Sequence, residues 1–273
     1  MNLRIKRNLF LQKILWNAPG FAVLRAYVAL RRRADYVLLN HSLDSETNGE
    51  YWLLDNLPPK PVVLDVGFNT GDFTAEILSR SPEAQVFAFD PARAAERAFK
   101  ARFGSNPRVS FVASALSDQP GQFEFHDYDN MCSSLARRSD AGAEASTYKV
   151  NVETLCGWFE RSGLDRIDFL KIDAEGFDAN VIAGALPLLK AGKIGVIMFE
   201  YANGWINNKR FLGEVDTMLK QTSCTLHQLF NGFLAPVNYT SQNERFDMGR
   251  MYVITTPIVW SKKLPTKKYA FID

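Results

Sequence analysis

From residue 50 onward, short continuous apolar runs alternate with stretches whose apolar positions recur every three to four residues. The runs "PVVLDVG" (61–67), "AQVFAFD" (84–90), "RVSFVASAL" (108–116), "RIDFLKID" (166–173) and "IGVIMFEY" (194–201) read as five strands. Between and after them, "DFTAEILSRS", "PARAAERAFKARF", "NVETLCGWFERSG", "DANVIAGALPLLKAG" and "NKRFLGEVDTMLKQT" carry helical periodicity. "GQFEFHDY" alternates with period two, as an edge strand or hairpin arm does, while "LHQLFNGFLAPV" and "RMYVITTP" read as a closing antiparallel pair. Residues 49–56 read as a short helix leading into the first strand. Strands and helices interleaved in this way predict an α/β fold with a mostly parallel sheet covered on both faces. Runs such as "VVLDV" and "GVIMF", apolar almost throughout, fit strands buried from both sides.

The first 49 residues follow a different pattern and read as a helical extension to a domain spanning 50–260, with a short basic tail over 261–273. Residues 1–33 hold eight Lys/Arg and no acid, and the last twelve hold four Lys against Asp273. The remaining body keeps 20 basic and 29 acidic residues, a poor composition for neutralising phosphates, so nucleic acid is not an expected partner. Pro19-Gly20 is expected to break the extension into two helical pieces, the second running from Phe21 to Leu30 and ending in Arg31-Arg32-Arg33. Neither piece reaches the roughly 20 apolar residues needed to cross a bilayer, and neither has the layout of a signal peptide. Two placements fit: a helical extension packed on the domain, or a basic amphipathic segment lying on anionic lipid through residues 1–33. The three cysteines, Cys132, Cys156 and Cys224, form no CxxC pair, which fits a reducing, cytoplasmic setting better than a disulfide framework. The small polar stretch 137–147 reads as a mobile loop.

In a parallel sheet the ligand lies at the C-terminal ends of the strands, and four of the five strand ends here carry a carboxylate: Asp65, Asp90, Asp173 with Glu175, and Glu200. After "VVLD" the chain turns through Gly67 and Gly71, where the lack of a Cβ allows a tight bend and close approach of a ligand. The dinucleotide pattern G-x-G-x-x-G fails here, since Asn69 and Asp72 replace its second and third glycines, and no Gly-Lys-Ser/Thr of a P-loop occurs. Asp72 at the helix start would repel phosphate. A nucleoside without phosphates, carrying positive charge, fits better, with Asp65 attracting the charge and Asp90 accepting two ribose hydroxyls. S-adenosylmethionine meets that description.

The stretches "VVLDVGFNTGDFTAEIL", "FDP" (89–91), "ASALSDQPG" (113–121), "SSL" (133–135), "VNVETL" (150–155), "IDFLKIDAEGFDANVIAGALPLL" (167–189) and "FEY" (199–201) together resemble the FkbM family of methyltransferases over roughly residues 50 to 201. "KIDAEG" followed by a helix with a small "AGA" segment is the most specific part. The resemblance implies a class I methyltransferase (Rossmann-like) fold with a seven-stranded, mostly parallel sheet, helices on both faces and a closing antiparallel hairpin. It also implies S-adenosyl-L-methionine as donor and, usually, a hydroxyl of a sugar, glycan or natural product as acceptor. By that likeness Asp65, Gly67, Asn69 and Gly71 form the methionine and ribose side of the pocket, Asp90 holds the ribose, and Ser114 and Ala115 border the adenine. Phe68 stands where alanine is common, Asp90 and Asp178 where glutamate is, and Cys156 where aspartate is expected.

Asp173 and Glu175, two residues apart at a strand end, are the candidate catalytic pair, either as general base or as ligands of a divalent cation. With two acids and no nearby histidine, the metal is the weaker option. The bland alternative has Asp173 bonding the loop or the donor's amine and Glu175 capping the next helix. Lys171 alternates with Asp173 and either pairs with it or is solvated. His126 and His227 are more often structural than catalytic in such positions, and Trp158, Trp205 and Tyr201 are more often core than sugar platforms. Three other classes compete: an N- or lipid-headgroup methyltransferase brought to membranes by the N-terminus, a non-catalytic donor-binding module, and a nicotinamide oxidoreductase.

Overall fold

The computed structural model describes residues 3–16, 18–38, 40–42, 44–128, 133–135, 146–246, 249–257 and 264–268. Cys132 and residues 137–145 of the expected loop lie outside them, as does most of the C-terminal tail. Two helices come first, α1 (Leu3–Leu15) and α2 (Ala18–Leu38). Pro19-Gly20 does not break the second: it lies in the first turn, where a proline's missing N–H costs no helical hydrogen bond. Two short helices follow, α3 (Ser45–Asn48) and α4 (Glu50–Leu54).

The domain then alternates as expected: β1 (Val62–Val66), α5 (Asp72–Arg80), β2 (Gln85–Phe89), α6 (Arg93–Phe103) and β3 (Val109–Val112). The third apolar run does not stay one strand. Ser114 N–H bonds back to the Val112 carbonyl, and the chain leaves the sheet to make β4 (Ala115–Leu116) in a separate small sheet with β5 (Gly121–Asp127) and β6 (Ser146–Glu153). The alternating segment 121–128 is therefore a hairpin arm, antiparallel to β6. β6 takes residues read as helical by sequence, because the helix starts only after Thr154, whose hydroxyl accepts the Gly157 N–H as N-cap of α7 (Leu155–Ser162).

The main sheet resumes with β7 (Ile167–Ile172), α8 (Asp178–Lys190), β8 (Ile194–Tyr201), α9 (Gly204–Asn207), α10 (Leu212–Leu219), β9 (Thr225–Phe230), β10 (Phe233–Pro236) and β11 (Arg250–Thr255). Its order is β10-β9-β11-β8-β7-β1-β2-β3, eight strands rather than seven. The extra strand comes from "LHQLFNGFLAPV", which folds on itself as the β9–β10 hairpin, while β11 inserts between β9 and β8. The tail is not wholly solvated: Leu234 N–H bonds to the Pro265 carbonyl and Lys267 N–H to the Leu234 carbonyl, extending the β10 edge.

Alternate strand residues feed two cores. Val63, Phe169, Val196 and Met198 face Leu53, Ile77, Ala95 and Phe103, while Leu64, Leu170, Ile172 and Phe199 face Leu155, Trp158, Ile182 and Val215. Trp158, Trp205 and Tyr201 are buried in the second of these, as core residues. The "AGA" segment has a packing reason. A Cβ on Gly184 would sit 2.2 Å from the Ser117 carbonyl oxygen, so α8 can lie against the turn after β4 only with glycine there. Asn180 Nδ2 donates to Asp118 Oδ1 (3.0 Å) across the same contact. Gly184→Leu should therefore destabilise the fold by about 2–3 kcal/mol, as overpacking does, read as a lower urea midpoint at unchanged slope.

Candidate active site

Strand order reverses between β1 and β7: the chain runs outward through β2 and β3, then returns to the other side of β1. At the C-terminal ends of these strands lies a cavity of about 370 Å³. Its floor is the turn after β1. Gly67 has φ 84° and a Cβ there would come within 1.9 Å of the Asp173 carbonyl oxygen, so no other residue fits. Asn69 follows with φ 51°, and Gly71, at φ 80°, hands the chain to α5. Phe68, the bulky residue in this turn, points away from the cavity into a cluster with Phe99, Phe103 and Phe111, which explains how a ring is tolerated there. Asp72, at the start of α5, is an exposed ion-pair partner of Arg102 (2.6 Å).

Asp90 hangs over this floor from the end of β2. Its Oδ2 accepts the Asn69 N–H and its Oδ1 the Ala92 N–H, both at 2.8 Å, leaving further lone pairs on each oxygen. The side chain is buried, and burial outweighs those two bonds, raising its pKa to about 6. Gly67, Asn69, Asp90, Ser114, Ala115, Asp173 and Glu175 all line the cavity. Ser114 is fixed by donating to the Asn151 carbonyl (3.0 Å), which ties it to β6.

Two residues expected in the wall are elsewhere. Gly71 stands behind the turn, against Phe68 and Phe103. Asp65 is completely buried one layer below. Its Oδ2 accepts the Thr74 hydroxyl (2.7 Å), and its Oδ1 is 3.5 Å from Lys171 Nζ. Lys171 is its lateral neighbour on β7 and lies 3.3 Å from Asp173 Oδ2 on the cavity side. Burial works against the Lys171 charge, but Asp173, Asp65 and Glu50 together raise its pKa. Lys171 is thus a structural cation paired with both acids, neither solvated nor bound to Asp173 alone.

Glu175 does not cap α8. The start of α8 carries no side-chain cap; Asp178, its first residue, instead closes the preceding loop, its carboxylate accepting the Ala174 N–H (3.3 Å) and the Gly176 N–H (3.1 Å). Glu175 itself has φ 51°, an uncommon conformation for a residue with a side chain, and its carbonyl accepts the Ser134 hydroxyl (3.1 Å).

A further part of the wall comes from β5, through Phe125 and Asp127, and from Ser133, Ser134 and Leu135, a segment bridged to β5 at His126. Asp127 accepts from Tyr148 OH (3.0 Å) and from Ser133 Oγ (3.1 Å), so a fourth wall carboxylate is oriented from β6 and from the segment after β5. Sequence reading passed over Asp127, since it lies mid-run in an alternating strand. Period two puts it on the same face as Phe125, but which face of β5 turns to the cavity is set by the pairing with β6. His126 sits beside Thr147 (3.5 Å) and His227 is buried on β9; neither lines the cavity. Cys156, on α7, lies 3.7 Å from Glu160 and is not part of the wall. Among the described residues no group of three or more His, Cys, Asp or Glu is arranged to hold a metal ion.

The model of the methyltransferase FkbM domain matches residues 65–225, more than half of the chain. The chain belongs to the FkbM methyltransferase family. Among relatives of this FkbM chain, the 2-O-methyltransferase NoeI of Sinorhizobium fredii is 30% identical over 159 residues, covering 53% of this chain and 65% of NoeI. Methyltransferase sdnD of Sordaria araneosa is 26% identical over 160 residues, covering 47% of this chain and 62% of sdnD. The matched region thus spans under two thirds of each relative. A solved FkbM methyltransferase from Methylobacillus flagellatus superposes on 71% of this chain and 43% of its own with a TM-score of 0.45 at 12% identity.

Two outcomes follow from the electrostatics. Asp90 titrates near 6 in the folded chain and at an ordinary value of 3.8 when unfolded, so the folded state holds more protons in between and loses stability as pH rises through that window. Against Asp90→Asn, the wild type should lose on the order of 2 kcal/mol between pH 4 and 7, measured by urea unfolding. Lys171→Met leaves Asp65 buried without its cation and should cost about 3–5 kcal/mol. Adding Asp65→Asn should return most of that loss, which a double-mutant cycle would show.

Proposed function

We propose that this FkbM chain transfers the methyl group of S-adenosylmethionine to a hydroxyl of a sugar or natural product. The observation that carries the reading is Asp90. It is a buried carboxylate fixed by two backbone N–H groups over a glycine turn, with lone pairs left for a pair of hydroxyls. The cradle fits a nucleoside: Gly67 has no room for a side chain, and Ser114 and Ala115 line the same cavity from the next strand. Of the cavity's described walls, none contributes a Lys or Arg side chain, while Asp90, Asp127, Asp173 and Glu175 contribute carboxylates, which favours a cationic donor over a phosphorylated one.

When bound, S-adenosylmethionine supplies a methyl carbon already activated by its sulfonium. The protein's part is then to position two molecules and remove a proton, and positioning alone can be worth about 7–11 kcal/mol. Asn69 and Asp90 hold the ribose in this reading, and Ser114 and Ala115 border the base. Asp173 Oδ2 is tied to Lys171 Nζ (3.3 Å), which holds that carboxylate toward β7. Glu175 is accordingly the general base: it receives the proton of the acceptor hydroxyl as the new carbon–oxygen bond forms. The left-handed backbone at Glu175 and the Ser134 bond to its carbonyl hold it against the small sheet. Asp127 and Ser133 face the acceptor from that sheet and accept or donate to its remaining hydroxyls. The name of NoeI, a 2-O-methyltransferase, supports oxygen as the acceptor atom.

S-adenosylhomocysteine should bind by calorimetry, and NAD should not. Asp90→Ala should weaken that binding at least about tenfold, the loss expected when charge-assisted hydrogen bonds disappear. Because Asp90 titrates near 6, affinity should also fall as pH drops below that value. Undiminished binding by Asp90→Ala would overturn the donor assignment. Glu175→Gln should keep donor affinity and lower turnover by about 10²–10⁴. Turnover is followed as a 14-dalton gain in small molecules from cells with and without the active chain.

A further inference from the structure

The α1–α2 hairpin is not packed on the domain in the way a stabilising extension would be. From Phe21 to Leu38 the burial pattern records no buried residue. Among the described residues, eleven of the thirteen large apolar side chains that are exposed belong to this hairpin and the residue that follows α1. Phe10, Trp16, Val23, Tyr27, Leu30 and Val37 are each 61–74% exposed. They are not scattered. Arg7, Phe10, Leu11 and Ile14 share one face of α1 at helical spacing, and Val23, Tyr27, Leu30 and Val37 share one face of α2. On another face of α2, Phe21, Leu24, Arg25, Val28, Ala29 and Arg32 border a groove, apolar groups interleaved with arginines.

A helix of 21 residues with nearly every side chain in water gains little from packing, the main source of helical stability in a folded protein. A contiguous exposed apolar surface on a folded chain marks a contact surface. Charge decides what it contacts. Residues 1–33 carry eight Lys/Arg and no acid, whereas the rest of the chain has an acidic excess. A second copy of the hairpin would be repelled, while an anionic bilayer attracts basic residues and accepts apolar side chains at its surface. Arginine stems can lie along the apolar stripes with their charges at the headgroups, and Trp16, Tyr27 and Tyr36 are amphipathic rings suited to that boundary. No helix among the described residues is long and apolar enough to cross a membrane. We infer that the α1–α2 hairpin docks on the surface of an anionic lipid bilayer, holding the acidic domain away from the same surface. This inference stands apart from the methyl-transfer reading and does not depend on it.

The test is co-sedimentation of the full chain with vesicles of phosphatidylcholine alone and of phosphatidylcholine with phosphatidylglycerol at a ratio of about 7 to 3, in 0.1 M and 0.5 M NaCl. Binding should be at least about tenfold tighter to the anionic vesicles and should weaken at the higher salt. The triple substitution Arg31→Gln, Arg32→Gln, Arg33→Gln should abolish most of the preference, and Val23→Ser with Leu30→Ser should weaken binding to both vesicles. The urea midpoint reports that each variant's domain is intact, and an unchanged midpoint is expected for both. Equal binding to neutral and anionic vesicles would overturn the inference, as would no pelleting with either. So would light scattering that shows a dimer which Leu30→Ser converts to monomer.

Discussion

The buried cation of Lys171 is the constraint on which the site rests. It joins β1 to β7 at the point where the sheet changes direction, facing Asp65 from the neighbouring strand and Asp173 two residues further along its own. Glu50, on the helix that precedes β1, adds a third carboxylate to its field. A buried lysine is costly unless paired, and a buried aspartate more so. The arrangement is therefore stable only when both strand ends are in register, and that register sets the separation between the Gly67 turn and the Asp173–Glu175 loop. Asp65 acts through this link: it holds the floor of the cavity in place from below.

Much of this was legible in the chain and some was not, for identifiable reasons. The βαβ alternation, the Gly67 turn and the carboxylates at strand ends follow from local periodicity and from the chemistry of glycine, and the family likeness added Ser114 and Ala115. The split after Val112 was hidden because residues 109–116, interrupted only by Ser110 and Ser114, read as one strand. Only the bend at Ser114 separates β3 from β4. Asp65 was misplaced because its role depends on which strand lies beside β1, and strand order is not a local property. Asp127 was missed for the same reason: its orientation depends on pairing with β6, where its partner is Ser146.

Departures from the family pattern also gain physical explanations. Phe68 is accommodated because α6 and β3 provide three more rings around it, and its bulk braces the Gly67 turn from behind. Asp178 caps its own loop through two backbone N–H groups, a task for which a short side chain suffices. Cys156 lies on α7 and away from the cavity, so its replacement of an acid has no direct bearing on the wall.

The small sheet meets the large one along a narrow seam: the bend at Ser114, the Ser134 hydroxyl on the Glu175 carbonyl, and the contact of Gly184 with Ser117. One side of the cavity is thus built by strands whose packing is largely their own, around Phe125, Val150 and Val152. Residues there can be exchanged without disturbing the pairing of β1 with β2 and β7. A wall with a core of its own can change shape while the strand ends that carry Asp90 and Asp173 stay where they are.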